Sequence, residues 1–106
     1  MDNQLTRGAK RRVLYIENKN GVIENANGRI GWVSFSKTGQ TVYYRDRVLR
    51  KIPGGGIRGN FIDDATGEEY WISGVKARGS NGHWAETVTI VVDDDAQEEY
   101  QRIRSQ

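Results

Sequence analysis

Gly28-Arg29-Ile30-Gly31-Trp32-Val33-Ser34-Phe35-Ser36-Lys37-Thr38-Gly39-Gln40-Thr41-Val42-Tyr43-Tyr44 is the stretch that decides the fold. Within Arg29–Ser36, Ile30 and Trp32 alternate with Val33 and Phe35, a period of two that marks a strand with both faces in use. Ser36–Gln40 is turn chemistry and contains Gly39, which accepts the positive φ of a hairpin loop. Thr41–Arg45 alternates again, with Val42 and Tyr44 facing one way and Thr41, Tyr43 and Arg45 the other. A lone hairpin is marginal in water, so neighbouring segments must cover its apolar faces.

Upstream, Arg11–Glu17 reads as a strand with Leu14 and Ile16 on one face and Val13 and Tyr15 on the other. It is followed by an Asn/Gly-rich loop over Asn18–Asn27, where Asn20-Gly21 predicts a positive-φ turn. Downstream, Arg47–Ile52 reads as extended, and if Asp46 continues the strand then Tyr43, Arg45 and Arg47 form one outer row, with Val42, Tyr44 and Val48 inside. Pro53 ends that run. Asn60–Asp63 and Glu69–Val75 read as a second hairpin around Ala65-Thr66-Gly67, and Lys76–His83 as a loop. Thr87–Val92 is the cleanest alternation in the chain. Thirteen glycines against one proline suit many tight turns between short strands.

The period changes at the C-terminal end. Asp95 predicts a helix N-cap, with Glu98 closing a capping box. Ala96, Tyr100 and Ile103 form one apolar stripe, and Glu98 with Arg102 an i,i+4 pair. A helix over 95–104 is too short to stand alone and should dock on the sheet. The expected fold is mainly β: a small SH3-like or OB-like curled barrel of about six short strands with one short C-terminal helix. Residues 1–10 read as a mobile tail and 11–106 as a single domain, without internal repeats.

With 106 residues and no cysteine, the chain offers a small core, no disulfide framework and no thiolate metal site. No apolar run is long enough to span a bilayer, which predicts no membrane partner. Met1-Asp2-Asn3-Gln4 lacks the apolar segment of a secretory leader, so the expected location is cytoplasmic. Net charge is only +2, but it is unevenly spread. Arg7, Lys10, Arg11 and Arg12 outnumber Asp2 near the start. Arg45, Arg47, Arg50, Lys51 and Arg58 outnumber Asp46 in the middle. Asp63, Asp64, Glu68 and Glu69 form an acidic patch, and residues 93–106 are net acidic. Eleven of the 16 basic residues are arginine, which favours planar contacts to carboxylate, phosphate or aromatic groups.

Three motifs carry little chemistry. Gly54-x-Gly56-x-x-Gly59 spells a dinucleotide fingerprint, but it follows Pro53 and precedes a strand, so no helix N-terminus meets a pyrophosphate. The acids of Asp63–Glu69 lack the alternating spacing of a calcium loop. His83 is the only histidine, and no serine sits in a nucleophile motif beside it. Neither a cofactor nor a metal is expected. The aromatics are the better lead. Adjacent residues of a strand point to opposite faces, so one member of Tyr43-Tyr44 and one of Tyr70-Trp71 must turn outward. Outward aromatics beside arginines form a stacking platform with an electrostatic funnel. Tyr43, Arg45, Arg47, Arg50, Trp71 and Trp84 are therefore the candidate partner-binding residues.

Gly28–Tyr44, together with Thr66-Gly67-Glu68-Glu69-Tyr70-Trp71-Ile72-Ser73-Gly74 and the later Asp94-Asp95 and Glu98-Glu99-Tyr100, resembles a small bacterial family of uncharacterised proteins over roughly residues 13–104. Some members of that family carry the label 1-deoxy-D-xylulose-5-phosphate synthase. Such synthases are large multidomain thiamine-diphosphate enzymes with a Gly-Asp-Gly metal-binding signature. This chain is one small domain without that signature, so the resemblance implies no catalytic residue here.

The function these readings favour is a non-enzymatic binding module. It engages a protein partner, or weakly a single-stranded nucleic acid, through the aromatic and arginine sheet face. The alternatives are a small enzyme that uses His83 and a structural protein that self-associates as a homodimer through exposed strand edges.

Overall fold

The computed structural model describes residues 10–79 and 88–106. The strands are β1 (Arg11–Asn18), β2 (Gly28–Phe35), β3 (Thr41–Tyr44), β4 (Arg47–Lys51), β5 (Phe61–Asp63), β6 (Glu69–Gly74) and β7 (Ile90–Val92). A 3-10 turn over Asp94–Ala96 then leads into helix α1 (Gln97–Arg104). From β1 to β6 each strand pairs antiparallel with the next, and β6 pairs back onto β1. The result is a six-stranded meander closed into a barrel, the small curled barrel with a short helix that the alternation predicts. Closure removes the edges that an open sheet of this size would present.

The alternating residues sort as their period requires. Leu14, Ile16, Val33, Val42, Leu49 and Ile72 fill the interior with the rings of Tyr44, Phe61 and Tyr70. Val13, Tyr15 and Ile30 form a second, outer apolar cluster, covered by Ala96, Tyr100 and Ile103, with Trp32 and Trp71 packed against it. The apolar stripe of the helix thus docks on the outer face of β1, β2 and β6. This explains why β1 is apolar on both faces.

β7 is an outer strand, paired parallel to β2 from Gly28↔Ile90 to Ile30↔Val92. Its run is shorter than the Thr87–Val92 alternation predicts. The same edge of β2 is occupied at Ser34 and Phe35 by β3, so only the first residues of β2 are left to receive another strand. Thr87 lies outside the described residues, as do residues 1–9 of the expected tail. Lys10 already belongs to the ladder, its carbonyl accepting from the Phe35 amide at 3.3 Å.

Four local expectations are corrected. The strand does not run through Asp46: Tyr44 stands opposite Arg47, with a two-residue turn between them in which Arg45 takes φ of +54°. That turn resets the alternation, so Leu49 points inward and Val48 is 47% exposed. In the Asn18–Asn27 loop the positive φ falls on Glu24, at +59°, within a tight turn closed by Ile23 and Ala26. Neither Asp95 nor any other side chain caps the helix. The Asp95 carbonyl accepts from Trp32 Nε1 at 2.9 Å, and the Asp93 side chain that precedes the turn is committed elsewhere. Arg102 pairs with Glu99 one turn back, at i,i+3, in place of Glu98.

Gly31 is needed for a close approach at the barrel end. A Cβ on Gly31 would overlap Asp93 Oδ2 and come within 2.9 Å of the Tyr44 ring. Its missing side chain makes the space in which the buried Asp93 sits.

Candidate partner-binding site

The structure disperses the arginine row. Arg45 caps one end of the barrel: its guanidinium lies 5.5 Å from the Tyr44 ring centroid, and its Nη2 reaches Asp93 Oδ1 at 3.0 Å. Nη1 of the same residue pairs with Glu24. Arg47 shares the inward parity of Tyr44, donating to Tyr70 Oη at 3.0 Å and to Asp46 at 3.3 Å. Arg50 does lie on the outer face, where both its Nε and Nη2 meet Asp64, at 2.8 and 2.9 Å. All three cations are already paired with acids of this chain. Tyr43 stays outward, opposite Val48, on the face that the helix leaves uncovered. Trp71 is drawn under the helix into the outer apolar cluster. Trp84 and His83 lie outside the described residues.

Arg45 belongs to a structural cluster at the barrel end. The buried Asp93 carboxylate accepts from Arg29 Nη1 at 2.9 Å, Arg45 Nη2 at 3.0 Å and Tyr44 Oη at 2.6 Å. Arg29 is also held by the Ile23 carbonyl and Asn25. Burial, and then the Asp93 carboxylate, push the Tyr44 phenol well above its ordinary range. Asp93 follows β7 directly, so this cluster fastens the outer strand and the start of the helix to the barrel.

A second polar cluster lies on β1. Lys19 Nζ pairs with Glu17 at 2.7 Å, with side chains 0% and 4% exposed, and the Tyr15 hydroxyl donates to the same carboxylate. Desolvation, reinforced by Glu17, raises the Tyr15 phenol. A polar cavity of about 280 Å³ lies beside these residues, between Asn18, Gly21, Asn27, Arg58 and Val88. The Lys19 ammonium is fully covered, so in this structure it offers no nucleophile to that space.

The opening that combines apolar floor and free charge is elsewhere. A cleft of about 410 Å³ separates α1 from the outer face of β1 and β2, bounded below by the end of β6. Val13, Trp32, Val75 and Ile103 supply its apolar floor and Arg11, Arg12 and Arg102 its cationic rim, with Glu99 the single acid. The Arg11 guanidinium stacks on the Trp32 ring, 4.9 Å from its centroid. Glu99 receives two bonds from Arg102, which hold its carboxyl below the usual carboxylate range. Arg11 and Arg12 are exposed and make no ion pair among the described residues.

This cleft lies apart from the densest arginine run, Arg45–Arg50. Its signals were present: the basic excess near the start of the chain, Trp32 on the face opposite Val33, and a helix stripe ending at Ile103. What linked them was the β1–β2 register, which sets Val13 opposite Trp32. Among the described residues no group of His, Asp or Glu is arranged to hold a metal ion, and no helix is long and apolar enough to cross a membrane. No family model, curated protein or solved structure gives a significant match to this chain.

Proposed function

We propose that this protein is a non-enzymatic binding module that grips an acidic protein partner in the cleft between α1 and the outer face of β1 and β2. The observation that carries the reading is the pairing, in one cavity, of an apolar floor with a rim of three arginines against one glutamate. Such a site suits an apolar anchor flanked by carboxylates. A protein partner is favoured over nucleic acid because Trp32 is the wrong platform for bases. Arg11 already stacks on its ring and its indole N–H is spent on Asp95. The sheet face bearing Tyr43 has lost Arg45 and Arg47, and its Arg50 is neutralised by Asp64.

The test is fluorescence anisotropy with labelled acidic peptides and with single-stranded RNA, at salt from about 50 to about 200 mM. Acidic peptides carrying an apolar residue should bind, weaken with salt, and lose about tenfold in affinity in the Arg11→Glu, Arg12→Glu double variant. Arg50→Glu, at an exposed ion pair outside the cleft lining, should leave their affinity unchanged. Binding of RNA in preference to peptide, or peptide binding that ignores the Arg11 and Arg12 reversals, would overturn this reading.

A further inference from the structure

The cleft opens beside the start of β1, which among the described residues has no strand partner on its β6 side. β1 starts at Arg11, but its register with β6 begins only at Leu14↔Gly74. The Lys10 carbonyl accepts from Phe35 on β2. In an antiparallel ladder, backbone groups alternate between the two edges. Arg12 and Leu14 therefore share the Lys10 phase and face β2, whereas Arg11 and Val13 turn their N–H and C=O toward the β6 side. No strand among the described residues meets the Arg11 backbone there. After Gly74 the chain is drawn off toward the helix end, where Arg104 Nη1 holds the carbonyls of Lys76 and Gly79, each at 2.9 Å. Gly74 itself is exposed, and a Cβ on it would meet nothing within 4 Å. Among the described residues, a barrel that is otherwise closed thus leaves a short strand edge open at the rim of a cationic cleft.

We infer that the acidic partner binds as an extended segment that adds to the β1 edge at Arg11–Val13 and seats one apolar side chain in the cleft. The inference rests on the cleft being the binding site and specifies the backbone conformation of what fills it. Alternation matches the chemistry on both faces of the added strand. Residues facing the helix side meet Val13, Trp32 and Ile103, with Arg11 and Arg102 at the rim. Residues of the other parity face the Arg12 side. An apolar residue with acids on either side satisfies both sets, and the main-chain bonds add affinity that no side chain of the partner has to supply. Because the open edge is short, the complex is weak and transient.

The probe is an end-blocked peptide with a central leucine between runs of glutamate, compared with the same peptide N-methylated on its backbone. NMR of the labelled full chain follows the amides. The unmodified peptide should slow hydrogen exchange at Arg11 and Val13 at least about tenfold, and N-methylation should abolish that protection and weaken binding by a similar factor. On the protein side, Arg11→Pro should bind several-fold more weakly than Arg11→Ala, since proline removes an edge donor while leaving the β2 ladder intact. If the N-methylated peptide binds equally well and shifts only Trp32 and Ile103, strand addition is wrong and the cleft reading survives. If neither peptide shifts Arg11, Trp32 or Ile103, both readings fall. A concentration-dependent dimer that protects the same two amides without peptide would assign the edge to a second copy and overturn the proposal.

Discussion

Replacing Asp93 by alanine tests the view that the barrel-end ion cluster, and not a ligand, is what Arg29 and Arg45 serve. The carboxylate satisfies two guanidinium groups and one phenol. Of these partners Arg29 is the most costly to abandon, because its side chain is 9% exposed and water cannot replace the lost charge. Arg45 is 34% exposed and keeps Glu24, so it contributes little to the loss. Breaking a buried pair by removing one partner costs about 3–5 kcal/mol. The partial exposure of Arg45 argues for the lower end, about 3 kcal/mol, against a total stability of about 5–15 kcal/mol for a domain of this size. At about 4–8 °C per kcal/mol the melting temperature should fall by roughly 12–24 °C. Asp93→Asn should cost less, because its carbonyl still accepts from Arg29 while the charge is lost. Urea and thermal unfolding, followed by tryptophan fluorescence and far-UV circular dichroism, give both numbers. A loss below about 0.5 kcal/mol for Asp93→Ala, within the range of an ordinary surface substitution, would show that Arg29 is not held by this carboxylate and would free Arg45 for a partner.

Two further outcomes follow from packing and titration. Ile103→Asp should lower stability by about 2 kcal/mol, from lost burial against Val13 and Trp32 and a desolvated charge; an unchanged melting temperature would mean that the helix is not docked as described. Tyr15, Tyr44 and Tyr70 all have phenols raised from 10.0, primarily by burial. A raised folded pKa gives stability that is fully present below the unfolded value and lost as pH rises beyond it. Stability should therefore hold to about pH 10 and fall above it, with phenolate absorbance rising in the same cooperative step as unfolding. Early, non-cooperative ionisation of Tyr15, Tyr44 and Tyr70 would contradict their burial.

The strands were legible because their signal is local. Alternation in β2 and β3 needs only neighbours in sequence, and the short helix was expected to dock on the sheet, which it does over the outer apolar face of β1. The helix stripe Ala96, Tyr100 and Ile103 supplies that cover. The failures share one cause, a backbone choice that composition does not encode. Arg45 has no side chain suited to positive φ, yet it takes +54° because the Tyr44–Arg47 pairing and three acceptors around its guanidinium over-determine the turn. That turn reversed the expected parity of β4, which moved Val48 outward and dispersed the arginine row. The helix cap failed for a comparable reason. The acidic run Asp93–Asp95 looks like interchangeable capping residues, but Gly31 leaves a space that only Asp93 reaches.

Charge density along a sequence measures how many cations the chain holds in one place, and a binding surface depends on how many it leaves unneutralised. Between Arg45 and Arg50 the cations are dense, and folding brings each of them an acid: Asp93 and Glu24, Asp46, and Asp64. The first two pairs draw on acids from the β1–β2 loop and from the residue after β7, far away in sequence, so the local excess of charge disappears in three dimensions. At the start of β1 the count is smaller, yet among the described residues Arg11 stacks on Trp32 and neither Arg11 nor Arg12 has an ion pair, while Glu99, the acid of the cleft, is already engaged by Arg102. The C-terminal segment is net acidic as a sequence, but of the side chains it presents to the cleft, Arg102 and Ile103 outweigh Glu99. Two segments from opposite ends of the chain, one mildly basic and one acidic, thereby build a cationic cleft with an apolar floor. Beside that cleft the register of β1 with β6 begins only at Leu14, so among the described residues charge, apolar floor and the Arg11 main chain converge where the local charge run is weak.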